Sequence, residues 1–68
     1  MSEHVYKKIE ITGTSEKSSD DAIRTAIDKA SKSIRNIRWF EVTENRGSIS
    51  EGRVERWQVT IKVGFTMN

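Results

Sequence analysis

From Val5 to Ile11 the side chains alternate, with Val5, Lys7, Ile9 and Ile11 on one side and Tyr6, Lys8 and Glu10 on the other. A period of two predicts a strand whose more apolar side meets a core. Gly13 to Ser19 is small and polar and reads as a connection. From about Ser19 to Asn36 the period changes: Ile23, Ala26, Ile27, Ala30, Ile34 and Ile37 form one helical stripe. Ser18 is the expected N-cap, with Asp20 and Asp21 at the positive end of the helix dipole. Lys32, Arg35 and Arg38 gather towards the other end, where cations are favoured. A second strand is predicted from about Arg38 to Arg46, with Phe40 and Val42 opposite Trp39, Glu41 and Thr43. Gly47 to Gly52 then reads as a hairpin connection. A third strand from about Arg53 to Phe65 sets Trp57, Val59, Ile61, Val63 and Phe65 against Arg56, Gln58, Thr60, Lys62 and Gly64.

The order is therefore β-α-β-β, an α+β fold in a single domain over residues 1–68. A strand–helix–strand unit makes the first two strands parallel and lays the helix across one face. The hairpin makes the third antiparallel to the second. With the third strand central, the sheet is three-stranded and antiparallel throughout and wraps on one helix. The helix stripe then covers Ile9, Phe40, Val42, Val59, Ile61 and Val63. Tyr6, Trp39, Glu41, Gln58, Thr60 and Lys62 are left on the opposite face.

Composition narrows the function. Twelve Lys and Arg against ten Asp and Glu leave +2, too balanced for a dedicated polyanion binder. Without Cys there is no disulfide framework, Cys-based zinc site or thiol nucleophile, and the one histidine, His4, gives little support to a triad. Gly13-Thr14-Ser15 follows a strand but lacks the lysine and glycine spacing of a phosphate-binding loop. No enzyme signature is present. No apolar run approaches the roughly 18 residues of a membrane span, and Met1 to Lys8 lacks a signal-peptide core. A cytoplasmic protein with no membrane contact is expected. Only 34% of the residues are apolar, in a chain whose length makes a single core marginal. Burial between identical subunits is the expected remedy.

Trp39 stands out. It neighbours Phe40 on a strand, so with Phe40 in the core it lies on the bare face. An aromatic there serves either subunit contact or ligand stacking. Gln58 shares the face, and its amide offers donors and an acceptor to the edge of a planar ring such as a nucleobase or a flavin; otherwise it is a solvated strand residue. Arg46 ends the second strand in the phase of Phe40 and Val42, although strand ends often bulge. It is either an ordinary surface cation or a partner for a ligand phosphate. Trp57 falls in the apolar phase and is expected in the core or an interface.

Gly13-Thr14-Ser15, Trp39-Phe40-Glu41-Val42, Arg46-Gly47, Gln58-Val59 and Lys62-Val63-Gly64-Phe65, in this order and spacing, resemble the dodecin family over nearly the whole chain. The pairing of Trp39 with Gln58 nineteen residues later is the most specific of these features. The resemblance implies a hollow homododecameric shell that binds flavin, FMN or riboflavin, in pairs at two-fold contacts. It implies that Trp39 stacks on the isoalloxazine ring, that Gln58 meets its pyrimidine edge, and that Arg46 lies near the phosphate. Some bacterial members also bind coenzyme A, and some bind metal ions at symmetry positions; neither is assigned to residues here. The expected function is storage of a flavin whose photochemistry is quenched by electron donation from Trp39. Two other classes stay open at this point: a single-stranded nucleic-acid module stacking bases on Trp39, and a structural oligomer that buries it.

Overall fold

A computed structural model describes residues 3–67 and arranges them as β1 (Tyr6–Ser15), α1 (Ser19–Ser31), β2 (Ile37–Ser50) and β3 (Arg53–Thr66). Met1, Ser2 and Asn68 of the expected 1–68 domain lie outside the described residues. The sheet order is β1-β3-β2, with β3 antiparallel to both neighbours. The expected α+β topology is therefore present, with the third strand in the centre.

Helix α1 begins where the sequence places it. Ser18 is extended, at φ −168°, and its hydroxyl accepts the Asp21 backbone N–H at 3.0 Å. The helix ends earlier than expected, at Ser31 and not Asn36. Lys32 and Ser33 donate to carbonyls only three residues back, Lys29 and Ala30, which tightens the last turn. Asn36 then takes φ +66°, a left-handed conformation that asparagine tolerates, and turns the chain into β2. Ile34 and Ile37 keep the helical spacing but belong to this connection and to the start of β2.

The buried stripe of α1 also differs from the expected one. Ala22, Ala26 and Ala30 face the sheet, while Ile23 and Ile27 pack along its flank, partly exposed. The small residues are required by close approach. A Cβ at Gly13, on β1, would collide with the Ala22 carbonyl oxygen and come within 2.9 Å of the Ala26 methyl. Glycine facing alanine brings the helix down onto Val59, Ile61 and Val63 of β3, all fully buried. Gly13-Thr14-Ser15 is thus the end of β1, not a connection. The buried Ser15 hydroxyl donates to the Asp21 carboxylate at 2.7 Å and accepts the Lys17 N–H at 2.9 Å, fastening β1 to the helix start.

The hairpin is longer than the sequence suggests. Residues 47–50 continue β2, and the reversal is confined to Glu51 and Gly52, at φ +53° and +76°. Two successive left-handed residues suit the twist of an antiparallel hairpin. Because α1 packs on β1 and β3, its cover stops short of β2. Phe40 and Val42 point to the helix side, opposite Val63 and Ile61, yet remain 44% and 45% exposed. Trp57 is partly buried and packs against the core.

Gly13→Ala should lower stability by about 1–3 kcal/mol, the usual effect of overpacking. Ser18→Ala should cost about 1 kcal/mol through loss of the cap. Chemical denaturation of both variants checks the order; equal midpoints would show that the Gly13 contact relaxes freely.

Candidate ligand-binding face

The face opposite α1 is a grid set by strand register. Lys8, Gly64 and Trp39 form one row across the three strands; Glu10, Lys62 and Glu41 form the next. Thr12, Thr60 and Glu44 follow, and then Thr14, Gln58 and Arg46. Directly opposed residues on antiparallel strands point to the same side. Trp39, Gln58 and Arg46 consequently share one face.

Arg46 reaches that face through a bulge. Val42 pairs with Ile61 but Glu44 pairs with Thr60, so Thr43 is an extra residue in β2. An inserted residue inverts the alternation beyond it. Arg46, in the phase of Phe40 by simple counting, comes out opposite Gln58. The Thr43 hydroxyl lies 3.2 Å from both the Thr60 carbonyl oxygen and a Glu10 carboxylate oxygen, which anchors the bulge to the strands beside it.

Trp39 is 38% exposed, and Gly64 gives its indole a floor. A Cβ at Gly64 would overlap Cε2 and Cζ2 of the ring and lie 2.8 Å from Cδ2. One face of the indole therefore rests on backbone. Tyr6 meets the ring edge-on at a centroid separation of 6.4 Å. The Lys8 ammonium is 5.7 Å from the ring centroid and 3.3 Å from a Glu41 carboxylate oxygen. In the sequence Gly64 falls in the polar phase of β3 and in the Lys62-Val63-Gly64-Phe65 motif, neither of which marks it as a floor for Trp39. Its signal was available: a glycine inside a strand often marks close approach of another group.

Gln58 is half-buried, and it is remote from Trp39 of its own chain. The Trp39 and Gln58 rows are six β3 residues apart, which at strand rise is about 20 Å. That exceeds what a ring centred on Trp39 and an extended glutamine side chain together span. The polar ladder of Lys62, Thr60 and their neighbours lies between the two. Arg46 is ion-paired with Glu44 only loosely, at 3.9 Å and well exposed. One chain thus presents a stacking platform at one end of the face and an amide–guanidinium pair at the other. A ring that stacked on Trp39 and also met a Gln58 amide would need more than one copy. Among the described residues no cluster of three or more His, Asp or Glu side chains is placed to hold a metal ion, and no helix is long and apolar enough to cross a membrane.

Comparison with known proteins matches this arrangement to one family. The family model described as Dodecin covers residues 5–68. A Thermus thermophilus protein described as Dodecin is 48% identical over 63 residues, covering 93% of this chain and 91% of the relative. The structure of dodecin from Streptomyces coelicolor superposes with a TM-score of 0.93 at 46% identity, over 100% of this chain and 97% of that one. Dodecin from Streptomyces davaonensis gives 0.92 at 46% identity, with 98% of each chain covered.

Gly64→Ala should lift the indole from its floor without disturbing the helix side. In a Trp57→Phe background, Trp39 emission should shift to longer wavelength and become more accessible to a soluble quencher. Unchanged emission would show that the ring does not depend on Gly64.

Proposed function

The chain belongs to the dodecin family, and from that premise we propose that it stores flavin, FMN or riboflavin, in pairs at contacts between subunits. It binds without turnover. Membership in a family of small dodecameric flavin-binding proteins supports the reading, as does the shortage of core within one chain. The observation that carries it is the indole of Trp39, laid on Gly64 and 38% exposed on a face that α1 does not cover, with only the flexible Lys8 ammonium over the ring. A backbone floor fixes the ring parallel to an incoming planar ligand, a geometry suited to stacking.

The residues fit a flavin in kind. Trp39 offers the stacking surface. Gln58 offers donors and an acceptor for the ring's carbonyl and NH edge. Arg46, brought beside Gln58 by the Thr43 bulge, offers a guanidinium to a phosphate. The roughly 20 Å between the two ends of the face assigns them to different ligands or different copies. A two-fold axis near Trp39 brings two indoles together with room for two rings between them, and Gln58 of a further copy then meets each ring edge. In such a slot Trp39 donates one electron to the photoexcited ring and recovers it, with no net oxidation and with quenched emission.

The open face also disfavours the nucleic-acid alternative. Glu10, Glu41 and Glu44 balance Lys8, Lys62 and Arg46 on that face, so it offers no excess of positive charge to a phosphate backbone.

Titration of FMN with ligand-stripped protein, monitored by flavin fluorescence alongside light scattering, tests the reading. Quenching should saturate near one flavin per chain at a mass near twelve chains. Trp39→Ala should weaken binding by about tenfold or more, since stacking on an aromatic contributes about 1–3 kcal/mol. Arg46→Ala should weaken FMN while leaving riboflavin, which has no phosphate, nearly unchanged. An intact assembly that leaves both flavins fluorescent would reduce Trp39 to an interface residue.

A further inference from the structure

Because Gln58 of the same chain is out of reach, the polar groups beside Trp39 in its own chain must be sought in the two rows nearest the ring. Gly64 provides the floor, and Tyr6 meets the ring by its edge. The cation in the Trp39 row is Lys8. Its ammonium is held by Glu41 at 3.3 Å and stands 5.7 Å from the indole centroid. Direct contact with a ring face occurs near 3.5–4 Å. The ammonium lies over the ring at 5.7 Å from its centroid, a cation–π contact, so a second flat ring arriving at stacking distance moves this flexible side chain outward to its own border. Glu41 uses one of its three N–H donors. The others are available at the border of whatever stacks on Trp39.

We propose that Lys8 is a further ligand-binding residue, whose ammonium donates to the carbonyl edge of a ring stacked on Trp39 of the same chain. This rests on the flavin-storage reading and extends it. Glu41 is then a positioning residue that keeps the ammonium beside Trp39 when the site is empty. Two recognition elements follow for each ring: Gln58 from another copy, and Lys8 from the chain that supplies the indole. Lys8 acts on the ring and Arg46 on the phosphate, so the two cations differ in what they select.

The test is titration of wild type, Lys8→Met, Lys8→Arg, Glu41→Gln and the Lys8→Met/Glu41→Gln double variant with both riboflavin and FMN. Binding is read by fluorescence and by the absorption band of the bound flavin, with light scattering to verify the assembly. Lys8→Met should weaken riboflavin and FMN equally, by about tenfold, the scale of a charge-assisted hydrogen bond at a partly exposed site. It should also shift the bound absorption band, because a cation at a carbonyl edge perturbs the chromophore. Lys8→Arg should restore most of the affinity. The same loss should separate the double variant from Glu41→Gln. Four results overturn the assignment: unchanged or tighter binding by Lys8→Met, which would make Lys8 a cap that competes for the indole; weakening of FMN alone, which would place Lys8 at the phosphate; a loss that vanishes in the Glu41→Gln background, which would reduce it to an unpaired Glu41; and an assembly that lost its mass. If wild type itself binds neither flavin, the storage reading fails and Lys8 fails with it, an outcome distinct from all four.

Discussion

A helix of thirteen residues is about 20 Å long, whereas a strand of fourteen extends more than twice as far. One short helix therefore covers only part of the sheet beneath it. Gly13 and the alanine stripe place that cover over β1 and the half of β3 that holds Val59, Ile61 and Val63. Beyond it, Phe40 and Val42 on the helix side, Ile49 and Val54 on the hairpin arm, and Trp39 on the opposite face all stay exposed. The family implies an oligomeric assembly, and the surface that α1 cannot reach is what this chain has available for subunit contacts. The proposed ligand site lies on the same uncovered surface, so the limit on the core is also what would make room for it.

Within that surface, placement depends on register more than on composition. Gly64 lies between Lys8 and Trp39, and its missing side chain lets the indole lie flat. The Thr43 insertion moves Arg46 across the sheet to join Gln58. Both effects come from single residues, and both decide which groups a ligand can meet.

Much of the architecture was legible because it follows from periodicity. The alternation through Val59, Ile61 and Val63 and the capped start at Ser18 are local signals, and the fold obeys both. The helix end was not legible: Ile34 and Ile37 continue the stripe, and only the left-handed turn at Asn36 shows that the chain has already left the helix. Residues 47–50 resemble a loop by composition, yet pairing with β3 keeps them extended. Trp39 and Gln58 could be placed on one face from phase alone. Their separation along it could not, since sequence spacing across a hairpin says nothing until the register is known. The Thr43 bulge has no period of its own and shows itself only through pairing, which is why Arg46 counts to the wrong side.

The bulge bears on a different hazard as well. β2 is an edge strand, fourteen residues long, and its Trp39-Phe40-Glu41-Val42 run is rich in strand-forming side chains. A long, regular edge of that kind is a template on which stray chains can add as further strands. Thr43 interrupts it one residue after Val42, locally disrupting the ladder and sharpening the twist. The residue that carries Arg46 to the face of Trp39 and Gln58 thereby shortens the flat stretch open to intruders. A newly made chain is guarded against runaway strand addition by the same irregularity that sets Arg46 beside Gln58.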